Sequence, residues 1–124
     1  MLSQVEAFHS AYERLVRTIR PVVPELEALH QELYKLYHYH MPNFEIDLIR
    51  SDVAAMVEKI VPLKAVVLST RLESRQVDFN LAVDNLESEL SKLAEAVKTS
   101  EKQDITDAVE RVHTAYQNTE NIFN

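Results

Sequence analysis

Glutamate stands three residues before histidine at three places in the chain: Glu6 with His9, Glu27 with His30 and Glu110 with His113. On a helix this spacing puts a carboxylate and an imidazole about one turn apart, and helical bundles that hold two metal ions take such pairs from two of their helices. A second group is the run Tyr34-Lys35-Leu36-Tyr37-His38-Tyr39-His40-Met41-Pro42. Two imidazoles and a thioether within four residues are the mixed nitrogen and sulfur donors that copper prefers, and imidazole also suits zinc. Whether either group can act depends on the elements that carry it.

Composition narrows those elements. The chain has 124 residues, near the usual size of one domain, and one domain spanning 1–124 is expected. It has no glycine, so tight hairpin turns and left-handed helix caps lose their usual residue, which favours helices over any sheet. It has no cysteine, which excludes thiolate ligands, a cysteine nucleophile and disulfides. The formal net charge of −7 disfavours nucleic acid, because phosphate contacts need a clustered basic surface. No apolar run approaches the roughly 20 residues of a membrane span. The start Met1-Leu2-Ser3-Gln4-Val5-Glu6 lacks the basic and apolar segments of a secretory leader. The cytoplasm is the default location, with an exported mature domain whose leader has been removed as the alternative.

Four helix starts are expected. Capping boxes, in which a hydroxyl and an acid or amide three residues on satisfy free backbone N–H groups, occur at Ser3…Glu6, Thr70…Glu73 and Ser100…Gln103. A fourth start falls at Asn43, after Pro42, with Glu45 and Asp47 in the first turn. From Thr70 to Thr99, Leu72, Phe79, Leu86 and Leu93 recur every seven residues with Val83, Leu90 and Val97 between them, a seam for helix packing. Ile105, Val109, Val112 and Tyr116 repeat the pattern, as do Ile46, Ile49, Val53, Met56 and Ile60, whose stripe Pro62 either ends or kinks. The first region carries Val5, Phe8, Tyr12, Leu15 and Ile19, then Leu26, Leu29, Leu33 and Leu36 beyond Pro21 and Pro24. One long helix from about 4 to 39, kinked at Pro21–Pro24, is the preferred expectation; two helices there, five in all, is the alternative. Short connections make neighbours antiparallel, so the expected fold is an all-α, up-down-up-down four-helix bundle.

Helix geometry then tests the motifs. At about 100° per residue, Glu6, Glu27 and Glu110 lie about 135–140° from their apolar seams, and His9, His30 and His113 about 75–80°. The carboxylates of a di-metal centre must converge inside a bundle, and these face water. The histidines sit on the shoulder of the core. First and last helices would bring His9 and His113 to the same end, where two imidazoles suit a transition metal or haem iron; the plainer reading is boundary residues that pack an edge against the core. For His38, His40 and Met41 the plainer reading is a helix end, where histidine suits the dipole and Met41 covers the core.

No Ser-His-Asp order, phosphate loop or zinc-peptidase motif is present, so a non-enzymatic protein is expected. Two functions follow. The first is a protein-interaction or assembly module whose acidic helical faces, or the stretch Val66-Val67-Leu68, dock a protein partner or a second copy. The second is a small copper- or zinc-binding bundle using His38, His40 and Met41, or His9 and His113.

Overall fold

A computed structural model describes residues 23–123 of the chain. They form four α-helices: α1 (Pro24–Lys35), α2 (Ile46–Lys64), α3 (Gln76–Ala96) and α4 (Lys102–Asn121), with no strand among the described residues. α1 runs on into a π-helical turn, Leu36–His40, and a 3-10 turn, Thr70–Arg75, leads into α3. Helices adjacent in sequence pack against each other, α3 and α4 most closely. Cross-pairs fix their directions: Glu32 with Lys59 and His40 with Asp52 set α1 against α2, Lys64 with Glu87 sets α2 against α3, and Glu89 with Arg111 and Phe79 with Phe123 set α3 against α4. The fold is an all-α antiparallel four-helix bundle, as the apolar spacing predicts. No helix among the described residues is long and apolar enough to cross a membrane.

Val23 is extended (φ −138°, ψ 101°) and Pro24 opens α1, a position where its missing N–H costs nothing and its fixed φ suits the helix. The expected helix from about residue 4, its cap at Ser3 and the bend at Pro21 lie outside the described residues. Pro62 does not stop α2, which continues for two residues beyond it to Lys64.

Without glycine, the chain turns two corners on residues that carry a Cβ. Phe44 (φ 46°) and Ser100 (φ 61°) are both left-handed, a conformation that costs roughly 1–2 kcal/mol for such residues. At Phe44 the cost is offset by a Schellman pair: Glu45 N–H donates to the His40 carbonyl (3.0 Å) and Phe44 N–H to that of Met41 (3.0 Å), closing the end of the first helical stretch. Two expected starts are corrected here. The N-cap position of α2 is Glu45 rather than Asn43, because the Schellman turn uses residues 40–45, and Glu45 makes no side-chain capping bond. α4 is capped by extended Glu101 rather than Ser100, whose left-handed backbone cannot cap; Thr99 Oγ1 accepts from Glu101 N–H instead (3.3 Å). Thr70…Glu73 likewise yields the 3-10 turn, and α3 proper begins at Gln76.

The core follows the seams. Leu29, Leu33 and Leu36 meet Ile49, Val53, Met56, Ile60 and Leu63, with Phe79, Val83, Leu86, Leu90 and Leu93 and then Ile105, Val109, Val112 and Tyr116 closing the other side, all buried. Each such aliphatic side chain contributes roughly 1.5–3 kcal/mol by leaving water.

Candidate functional site

The run singled out for its histidines is also where the backbone departs from α-geometry. In the π turn, Met41 N–H reaches back five residues to the Leu36 carbonyl (2.9 Å). Single π turns occur often at functional positions because they re-aim side chains. Here the candidate ligands have different neighbours. His40 Nδ1 is bonded to Asp52 Oδ2 on α2. His38, two residues earlier, packs its ring on Tyr34 (centroids 4.2 Å) and against Tyr37 (5.4 Å). Met41 lies half-buried against the core. The described residues contain no group of three or more His, Asp or Glu side chains placed to hold a metal ion.

Asp52 was not among the expected site residues. It is the one buried charged residue among those described, 5% exposed, sitting in the core stripe between Ile49, Val53 and Met56. A buried carboxylate is costly unless paired, and His40 is the partner. The signal was present in the sequence: an acid three residues after Ile49 and four before Met56 occupies a seam position. As an acceptor, Asp52 selects the Nδ1–H form of neutral His40 and leaves Nε2 for another partner.

A second histidine set lies where α1 faces α4. His30 stacks on Tyr116 (4.8 Å, 10°) and Tyr37 on His113 (4.6 Å, 17°). Both side chains of the Glu110-x-x-His113 spacing hold Tyr37. Tyr37 hydroxyl donates to Glu110 Oε1 (3.0 Å) while the His113 ring stacks on the phenol. Partial burial, and then the Glu110 carboxylate, raise the Tyr37 hydroxyl above the ordinary tyrosine range, since both disfavour the phenolate. Glu27 and His30 stay together, 3.9 Å apart. His30 and His113 are half-buried, the shoulder position expected of them. His9, and so any meeting of His9 with His113, lies outside the described residues.

On the far side of α4 an open cleft of about 290 Å³ runs between α3 and α4, lined by Asn85, Glu89, Glu110, Arg111, Thr114, Ala115 and Asn118. Glu89 is its most constrained member. Lys92 donates to Oε1 (3.3 Å), but Oε2 is enclosed and receives no hydrogen bond, although Arg111 Nε stands 3.4 Å away without the alignment for one.

The remaining feature is apolar. Val57 and Val61 on α2, Val67 in the connection, and Val77 and Leu81 on α3 are exposed. Of the expected stretch Val66-Val67-Leu68 only Val67 is open. Leu68 is buried, and Gln76 clamps the turn by accepting from Leu68 N–H (2.7 Å) and donating to the Val66 carbonyl (3.2 Å). Val77 and Leu81 fall on the face of α3 opposite Phe79 and Leu86, off the seam, which is why a search for seams passes over them. No protein-family model, no curated protein and no solved structure matches the sequence.

Proposed function

We propose that this chain is a non-enzymatic helical module for protein interaction or assembly. One observation carries the reading: five of the exposed apolar side chains fall on α2, α3 and the connection between them, with Tyr39 and Leu48 exposed elsewhere. Val57 and Val61 are one turn apart on α2, Val77 and Leu81 one turn apart on α3, with Val67, 86% exposed, in the connection between the two helices. Single exposed apolar residues are ordinary, whereas pairs on neighbouring elements mark contact surfaces. The test is site-specific photo-crosslinking in the source cells from Val61 and Leu81, with Asn118 and Thr106 as polar controls. A discrete adduct from the apolar positions, absent from the controls and lost with Val61→Lys or Leu81→Lys placed beside the crosslinker, is the expected result. No adduct from either apolar position overturns the reading.

A second reading, transition-metal binding, is favoured by Asp52. Metal-ligating histidines usually give their other N–H to a carboxylate, and Asp52 holds His40 in that way. In this reading His40 Nε2 is the lead ligand for copper or zinc, with His38 and Met41 as further donors; His9 with His113 is the alternative site. Titration of tag-free full-length protein would then give one equivalent per chain that His40→Ala removes. Binding unchanged in His40→Ala overturns it.

A further inference from the structure

The exposed apolar pair on α3 does not stop at Leu81. Residues four apart on a helix form a continuous ridge, so Val77, Leu81, Asn85 and Glu89 make one row that winds from the outward face toward α4. The last two are also walls of the α3–α4 cleft, facing Thr114 and Asn118 of α4. One surface therefore begins apolar and ends on the Glu89 carboxylate, whose enclosed Oε2 is ion-paired with Arg111 and whose Oε1 meets the exposed Lys92. The distance from Leu81 to Glu89 along the helix is about 12 Å at 1.5 Å per residue.

The charge around the row has one sign in excess. α3 carries Asp78, Asp84, Glu87, Glu89 and Glu95 against Lys92 alone, and α4 carries Asp104, Asp107, Glu110 and Glu120 against Lys102 and Arg111. Lys92 and Arg111 pair with Glu89 itself, and the remaining acids of the two helices outnumber the one cation left, Lys102. A second copy of the chain would bring the same acidic face against this one, and like charges across an interface are unfavourable.

Resting on the interaction reading above, the geometry points to this row as the docking surface for a basic amphipathic helix of another protein. Two apolar side chains four residues apart cover Val77 and Leu81. An arginine or lysine about two turns beyond them enters the cleft, donating to the Glu89 carboxylate in competition with exposed Lys92, which pairs with Oε1, and to the carboxamide oxygens of Asn85 or Asn118. Helix-in-groove recognition of this kind reads spaced apolar anchors, with rim charges setting orientation and partner choice.

The test uses the full-length protein labelled with 15N and synthetic helical peptides carrying leucine at two positions four apart and arginine eight residues beyond, in both chain orders. Peptides with glutamate in place of the arginine are the controls. The expected result is that amide signals of Val77, Leu81, Asn85 and Glu89 shift with one arginine peptide and not with its glutamate control. Leu81→Ser and Glu89→Gln should each weaken binding at least fivefold while leaving the circular dichroism melt within a few degrees of the wild type. Equal binding of arginine and glutamate peptides, shifts that map elsewhere, or no binding at all overturns the inference. So does concentration-dependent dimerisation abolished by Leu81→Ser, which assigns the row to a second copy. Photo-crosslinked adducts obtained from Leu81 while the peptides fail would sink this partner class and leave the interaction reading standing; absence of all adducts sinks both.

Discussion

α4 is held on its two sides by different chemistry. Toward α3 it presents Ala108 and Ala115, seven residues apart and both buried, beside Val112, and the two backbones run close. Small side chains at the contact permit the short interaxial distances at which aliphatic cores fill without gaps. Toward α1 the backbones stay apart and rings fill the space: Tyr116 on His30, and His113 on Tyr37. A stacked aromatic pair adds about 0.5–1.5 kcal/mol beyond its buried area, but imidazole and phenol edges keep polar atoms that need partners. The aliphatic side should supply stability, and the ring side should supply orientation and sensitivity to solution conditions.

The sharpest break of that comparison is a cavity in the aliphatic half. Leu86 is fully buried on α3. Leu86→Ala should cost about 3–4 kcal/mol, from lost transfer energy and the void left behind. The corresponding cut on the ring side, His113→Ala, should cost about 1–2 kcal/mol, since Tyr37 keeps Glu110 and loses a stacking partner. Urea unfolding at neutral pH measures both. Equal losses would show that the ring seam is a full part of the core.

Next in size is the pair that ties the π turn to α2. His40→Ala leaves Asp52 enclosed without its hydrogen bond, and should cost about 2 kcal/mol, below the usual figure for a fully buried pair because His40 is partly open. Replacing both, with Asp52→Leu and His40→Leu, should recover most of the loss, because two apolar groups of suitable size satisfy the site without a charge. A double replacement as damaging as the single one would mean that the pair fixes the register between α1 and α2 rather than merely neutralising Asp52.

The fold was legible in the sequence to the extent that it rests on periodicity. Leu86 and Leu93 on α3, and Val109 and Val112 on α4, are buried where the heptad spacing puts them. The corners were less legible. Asn43 and Ser100 are residue types that favour caps, yet in a chain without glycine Ser100 and Phe44 take the left-handed positions. The candidate sites were legible only as residue types. Helix angles placed His30 and His113 on the core's shoulder, but which ring each would meet depends on how α1 sits across from α4, and that is tertiary information. Asp52 was hidden for the opposite reason: its position in the seam was visible, but its partner is twelve residues away, at the end of a π turn that no spacing rule announces. Glu89 and the row from Val77 lie off the seams altogether, where periodicity carries no expectation.

The smallest effect tests the ring side through its protons. Tyr37 is the group whose hydroxyl is raised, first by burial and then by its bond to Glu110. For an acid with a raised folded pKa, the folded state keeps its proton longer than the unfolded chain does. Its contribution is complete below the unfolded value of about 10 and is lost as pH climbs through the higher folded value. Tyr37→Phe keeps the stack on His113 and removes only the hydroxyl, so it should cost about 0.5–1 kcal/mol near neutrality. It should also flatten the alkaline decline in stability that sets in above the ordinary tyrosine range. The ultraviolet titration of wild type minus Tyr37→Phe isolates the one phenol, and its midpoint should lie above that of an ordinary exposed tyrosine. A midpoint at the ordinary value would mean that water reaches the hydroxyl freely, and the α1–α4 seam would then be an open stack of rings rather than a second, polar wall of the core.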